Sequence, residues 1–175
     1  ERTGKWPAGI GIVLIALLPK PDGGYRPIGL LPTEPRLWMR ARRNAARRWE
    51  EDNAREWLYA GKGKGANVSA WKQAFFAELA ATTKHSAEYI QTLLDLVKAF
   101  DHVPQWLLIR EGIALGYPLW LLRLSIATYR LGRVVRIGNV VSKMVMAVTG
   151  ITAGSGFATS EMRLVLIRVI DRAMT

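Results

Sequence analysis

The chain contains no cysteine and only two histidines, His85 and His102. It therefore has no disulfide, no thiol nucleophile and no thiolate-bound zinc, and two histidines alone do not complete a typical zinc site. Any metal is expected on oxygen ligands. Acidic residues are scarce as well: 14 Asp+Glu stand against 25 Lys+Arg, a formal net charge of +11. A field of that sign favours polyanions, either nucleic acid or an anionic membrane surface, and charge alone does not choose between them. Long hydrophobic runs are also missing. The one candidate, Ala8 to Leu18 (AGIGIVLIALL), is short of the roughly 20 residues a spanning helix needs. It lacks a small-residue cleavage pattern and runs straight into PKPDGGYR. It reads as a buried strand, and no membrane segment is expected.

At 175 residues the chain can bury a sizeable core, as one domain or one and a half. It begins at Glu1 without Met and ends inside an apolar helical pattern, so it is expected to be a piece of a longer polypeptide. Ile10 to Leu18 and Tyr25 to Leu31 are rich in Ile, Leu and Val and flank Pro19-Lys20-Pro21-Asp22-Gly23-Gly24, which is hairpin-turn chemistry. Thr33-Glu34-Pro35 opens a helix expected to reach about Trp57. On it Arg36, Arg40, Arg43 and Arg47 share one face, and Leu37, Ala41, Ala45 and Trp49 are expected on the opposite, core side. A glycine-rich break at 59–65 precedes a helix with Trp71, Ala74, Phe75 and Leu79, capped by Asn67 or Ser69. Glu88 to Leu96 has strand character. Helices are expected from Pro104 to near Gly116, from Pro118 to Tyr129, and from about Ala158 onward. Strands are expected at Arg133 to Ile137 and Val140 to Val148, joined at Gly138-Asn139.

One feature of this pattern demands a chemical explanation. The run Tyr89-Ile90-Gln91-Thr92-Leu93-Leu94 ends in a carboxylate, Asp95. A carboxylate at the end of a buried strand must be paired, protonated or bound to a metal, because burial strips its hydration. Taken alone, Asp95 could simply cap a turn. Asp101, just before His102-Val103-Pro104, reads as the cap of the next helix rather than a ligand. Gly61-Lys62-Gly63-Lys64-Gly65 is not a phosphate loop of nucleotide hydrolases, since it lacks the required spacing and the Ser or Thr after the lysine. A basic loop on template phosphate and a solvated linker both suit it.

Three stretches, LLPKPDGGYRPIGLLP (17–32), LLDLVKAFDHV (93–103) and GITAGSGFATS (150–160), resemble, in the same order, the fingers hairpin, first catalytic motif and glycine-loop motif of reverse transcriptases of the non-LTR retroelement and group II intron kind. The resemblance implies an α+β right-hand polymerase, with a fingers hairpin at 1–33, fingers helices at 34–85 and a partial palm at 86–175. It implies RNA-templated synthesis of DNA from dNTPs along a DNA primer, with two Mg²⁺ ions. By the same resemblance Asp95 is the catalytic metal ligand, assisted by the main-chain carbonyl of Leu96. Lys20 and Arg26 hold the incoming triphosphate. Phe100 excludes a ribose 2′-hydroxyl, and Ala153 lies beside the dNTP. Gly154 and Ser155 approach the template and nascent pair. Arg36, Arg40, Arg43 and Arg47, with Lys62 and Lys64, suit nucleic-acid backbone. The chain departs from the family where Ala153 replaces a common Gln and Gly156 a common Pro. It also shows no aromatic-Ala-Asp-Asp motif in 157–175, where the only acids are Glu161 and Asp171. The second catalytic hairpin, the rest of the palm and the thumb are therefore expected elsewhere in the same polypeptide. Two rival readings remain: a non-catalytic RNA-binding remnant, and an RNA-templated RNA polymerase, against which the bulk of Phe100 argues.

Overall fold

A computed structural model describes residues 1–60, 64–83 and 96–174. The protein is α+β, with five helices and a four-stranded mixed sheet among these residues. The strands are β1 (Ile12–Pro19), β2 (Tyr25–Leu30), β3 (Gly132–Ile137) and β4 (Val140–Val141). The helices are α1 (Thr33–Asp52), α2 (Ala66–Thr82), α3 (Gln105–Ala114), α4 (Leu119–Tyr129) and α5 (Ala158–Ala173). Two compact units divide the chain: Glu1–Asp52 with Lys98–Thr175, and Asn53–Val97.

The first unit holds the sheet, in the order β2-β1-β3-β4. β1 and β2 form the expected hairpin, antiparallel with Leu14 opposite Leu30 and Leu18 opposite Arg26. β1 also pairs in parallel with β3, Ile12 beside Gly132, and β3 turns back antiparallel into β4. The second strand of that turn is shorter than 140–148: beyond Val141 the pairing continues through the Ser142 N–H on the Val135 carbonyl (2.9 Å) and a bridge between Arg133 and Val145. Along β1 only Val13 is fully buried, and Leu14 to Leu17 are half-buried, so the strand is central in the sheet without being enclosed on both faces.

The core lies among the helices. α4 buries Leu121, Leu122, Leu124, Ile126 and Tyr129, the behaviour of a helix apolar nearly all round. Leu108 of α3, Leu164 and Ile167 of α5, and Ile151 and Phe157 of the loop before α5 are also buried. The short connection from α3 to α4 follows from local chemistry. Gly116 takes φ +64°, and the N–H groups of Tyr117 and Gly116 bond the carbonyls of Gly112 (2.8 Å) and Ile113 (3.4 Å), a Schellman closure that only a residue tolerant of positive φ permits cheaply.

α1 departs from the expected face and length. It ends at Asp52, and its buried residues are Pro35, Met39, Ala46 and Trp49, whereas Leu37 is 60% exposed. A ladder of strict four-residue steps such as Leu37, Ala41, Ala45 and Trp49 drifts by about 40° per step and walks off any one face. Steps of four, seven and three from Pro35 stay on one stripe, and tertiary partners select it. Trp49 stacks edge-on against Tyr117, centroids 5.0 Å apart, and its Nε1–H donates to the Leu115 carbonyl at 2.8 Å.

Asp101 is not the cap of the following helix. α3 is preceded by Pro104 at its N-cap, with no side-chain cap bond. The Asp101 and His102 N–H groups instead bond the Lys98 carbonyl, so Asp101 belongs to the preceding turn.

In the second unit α2 starts from Gly65 without a side-chain cap, in place of Asn67 or Ser69, and buries none of its described residues. Lys64 Nζ donates to the Arg55 carbonyl at 2.9 Å, and Lys72 Nζ stands 5.7 Å from the Tyr59 ring centre. The expected strand Glu88 to Leu96 lies outside the described residues except for its last residue, Leu96, which is in no strand.

Candidate functional site

The loop from Gly150 to Phe157 is the junction of the first unit. At one end the Gly150 N–H bonds the Val103 carbonyl and the Ile151 N–H bonds the Phe100 carbonyl, both at 2.8 Å. Further along, the Ala153 carbonyl accepts the Gly29 N–H at 2.8 Å, which ties the loop to the outer edge of β2. Gly154 sits at φ +109°, and a Cβ there would collide with the Gly29 carbonyl oxygen. A Cβ on Gly29 would strike Thr152 Cγ2 and reach the Ala153 oxygen at 3.0 Å. Two glycines face each other because backbone meets backbone with no room for a side chain.

Around this junction stand several of the residues expected to act. Hairpin register places Arg26 opposite Leu18, and the Lys20 N–H bonds the Gly24 carbonyl at 3.1 Å, so Lys20 and Arg26 share a face at the exposed tip. Arg26 lies three residues along β2 from Gly29, an odd step that turns its side chain, like that of Lys20, to the opposite face of the sheet from the one on which Gly29 meets Thr152. Phe100 is half-buried, its backbone held by Ile151; Ala153 is half-buried and Gly154 exposed. On the far side of the loop α1 packs by Met39, whose sulfur accepts the Gly156 N–H at 3.3 Å. Arg36, Arg40, Arg43 and Arg47 run along α1 about 100° round from that buried stripe. All four are exposed, and none has a carboxylate partner among the described residues. Glu50, which follows the stripe, bonds Ser160 and pairs with Arg163 at 3.7 Å instead.

Lys64 and the exposed Leu96 belong to the second unit. Asp95 and Lys62 lie outside the described residues. Among the described residues no group of three or more His, Cys, Asp or Glu could hold a metal ion, and no helix is long and apolar enough to cross a membrane.

A buried polar chain supports the loop, and sequence reasoning did not find it. Ser155 Oγ accepts the Tyr129 hydroxyl at 2.9 Å, and Tyr129 is also hydrogen-bonded to the Glu161 carboxylate. Tyr129 and Glu161 are fully buried. Among the described residues Glu161 Oε1, Ser125 Oγ and Tyr117 Oη make no hydrogen bond of ordinary length, although Ser125 stands close enough to Glu161 to help pull its pKa down. Burial pushes the Glu161 carboxyl up to about 7, against hydrogen bonding from Tyr129 that pulls it down. Burial, and then the charge of Glu161, pushes both tyrosine hydroxyls up. Glu161 is thus enclosed in the interior and committed to Tyr129. Arg133 was also missed. Its Nη2 donates to Thr152 Oγ1 at 3.2 Å and to the Tyr129 carbonyl at 3.3 Å; burial lowers its pKa, partly offset by the charge of Asp101. The signal available in advance was weak: one Arg opening a strand and one Glu in a helical pattern look like ordinary surface residues.

No family model matches this chain, and no curated protein matches it.

Two outcomes follow from this geometry. Gly154→Ala should destabilise the protein by about 1–3 kcal/mol, because it forces a strained φ and a backbone collision; the urea midpoint reads it, and an unchanged midpoint refutes the close approach. The second concerns pH. Folded Glu161 keeps its proton to about pH 7, whereas in the unfolded chain it is lost near its ordinary value of 4.5. Its contribution is full below that lower value and is lost as pH rises through the folded one, by roughly 3 kcal/mol. Stability curves of the parent and Glu161→Gln should therefore diverge in slope over this window, the variant being flatter.

Proposed function

We propose that this chain is the fingers and part of the palm of a reverse transcriptase, a right-hand polymerase that makes DNA on an RNA template. One observation carries the reading. The loop 150–156 hydrogen-bonds both to the Phe100 turn and to Gly29 of the hairpin, so the three stretches whose order resembles the family's motifs meet at one junction. A nucleotidyl-transfer site needs such a meeting, since the sugar, the base pair and the triphosphate of one substrate must be touched at once.

In this reading Lys20 and Arg26 bind the triphosphate, one as a point charge and one as a planar fork. Phe100 fills the volume a 2′-hydroxyl would need. Ala153, Gly154 and Ser155 bring backbone close to the nascent pair, and the Tyr129–Ser155 bond keeps that backbone in place. The arginines of α1, with Lys62 and Lys64, bind template or primer phosphates. By the family resemblance, Asp95, with the Leu96 carbonyl and the substrate's own oxygens, would hold Mg²⁺. Bound there, the ions would activate the primer hydroxyl and offset charge on the leaving pyrophosphate. The stripe of exposed arginines on α1, without carboxylate partners among the described residues, also favours a second reading, an RNA-binding module without catalysis, which needs no Asp95.

Primer extension separates the two. A polypeptide continuing this chain through an aromatic-Ala-Asp-Asp hairpin and a thumb should extend a DNA primer on RNA, and Asp95→Asn should cut the rate at least about 100-fold, the scale of losing one preorganised electrostatic group. RNA binding that survives with no extension in either form selects the second reading. In the same assay Phe100→Val should raise the ratio of ribonucleotide to deoxynucleotide incorporation while dNTP use persists; an unchanged ratio makes Phe100 a packing residue only.

A further inference from the structure

A second basic feature lies away from the junction. Arg110 and Glu111 of α3 and Arg168, Val169 and Arg172 of α5 line an open cleft of about 260 Å³. That is smaller than the roughly 300–1,000 Å³ of small-molecule pockets, and suits one compact charged group better than a whole cofactor. From the start of α5 beside the loop to Arg168 and Arg172 is about 15–20 Å along the helix.

Glu111 organises the cleft. It is 3% exposed, and a buried carboxylate must be partnered. Arg110 reaches its Oε1 through Nε (2.8 Å) and Nη2 (2.6 Å), and Arg168 reaches Oε2 through Nη1 (3.1 Å). Burial pushes the Glu111 carboxyl up, but the Arg110 hydrogen bond and the Arg168 charge outweigh it and hold it below its ordinary value, so it stays ionised. Two arginines pair with this one carboxylate, leaving the cleft positive. Each guanidinium carries five N–H groups, more than Glu111 uses, and the Arg110 and Arg168 side chains are 59% and 40% exposed. One turn before Arg110 stands Trp106, 62% exposed, with the Arg110 guanidinium 5.3 Å from its ring centre.

We infer that this cleft binds a single-stranded nucleic acid, with a backbone phosphate on Arg110 and Arg168 and an unpaired base stacked on Trp106. Oriented guanidinium groups beside an exposed aromatic ring are the pairing that recognises a phosphate and its neighbouring base together. The +11 charge of the chain draws the same ligand. An acidic protein segment would match the arginines and leave the indole without a role. This site shares no residue with the polymerase reading and stands or falls independently of it.

The test uses the whole 175-residue chain and a fluorescein-labelled oligouridylate, titrated by anisotropy across a salt series. Trp106→Ala should weaken binding about tenfold, the scale of one lost base stack. Arg168→Gln should weaken it too and reduce the salt slope by about 0.7, one single-strand phosphate contact. Arg43→Gln on α1 should also lower the salt slope, and its effect should add to that of Trp106→Ala if the two surfaces are separate. Because Arg168→Gln disturbs a buried carboxylate and could unfold the chain, the exposed Trp106→Ala variant, checked by circular dichroism, decides the matter alone if needed. Parental affinity in folded Trp106→Ala overturns the inference. So does competition by polyglutamate as effective, charge for charge, as that by unlabelled oligouridylate.

Discussion

The close approach of Gly29 and Gly154 is the constraint on which the rest of the first unit depends. It lets the loop 150–156 bond to the edge of β2 through the Ala153 carbonyl while its other end is bonded to Phe100 and Val103. Any side chain at either glycine would push the loop from the strand, and with it the start of α5. The hairpin, the Phe100 turn and two helices are thereby linked through a few residues of backbone. Glycines at such a junction have no side-chain rotamers to lose, but ordering their backbone carries the larger entropic cost, which the bonds at both ends of the loop offset.

Beneath the loop the protein accepts a less favourable arrangement. Glu161 is wholly buried with one oxygen on Tyr129, while its other oxygen and the hydroxyls of Ser125 and Tyr117 make no hydrogen bond of ordinary length among the described residues. An apolar residue at 161 would avoid that desolvation but would leave Tyr129 without its carboxyl partner, and Tyr129 is what grips Ser155. The buried acid thus anchors the loop at an energetic cost that depends on its protonation.

Charge is distributed with similar economy. Two acids beside arginine-rich surfaces, Glu50 at the end of α1 and Glu111 in the α3–α5 cleft, are engaged by groups of the interior. Glu50 bonds Ser160 and Arg163, and Glu111 aligns Arg110 and Arg168. Neither neutralises the stripe on α1, so its four arginines remain exposed without carboxylate partners among the described residues, a surface that attracts polyanions and is screened by salt.

Local chemistry in the sequence determined most elements by itself. The hairpin around PKPDGG, the Gly116 closure of α3, the Gly138-Asn139 turn and the starts of α4 and α5 each rest on turn or helix-breaking residues whose backbone preferences act over a few positions. The arginine stripe was legible for the same reason, because 3.6-residue periodicity is a local property. Which stripe of α1 faces the core was decided by Tyr117, the Leu115 carbonyl and the loop around Gly156, all distant in sequence, and so the Leu37 ladder misled. Asp101 misled likewise: a cap signature is a sequence pattern, but the turn it joined was settled by bonds to Lys98. The junction of Gly29 with Gly154, the Tyr129–Ser155–Glu161 chain and the Glu111 cleft depend on residues tens to more than a hundred positions apart. Their partners are chosen by packing in three dimensions, which no local pattern encodes.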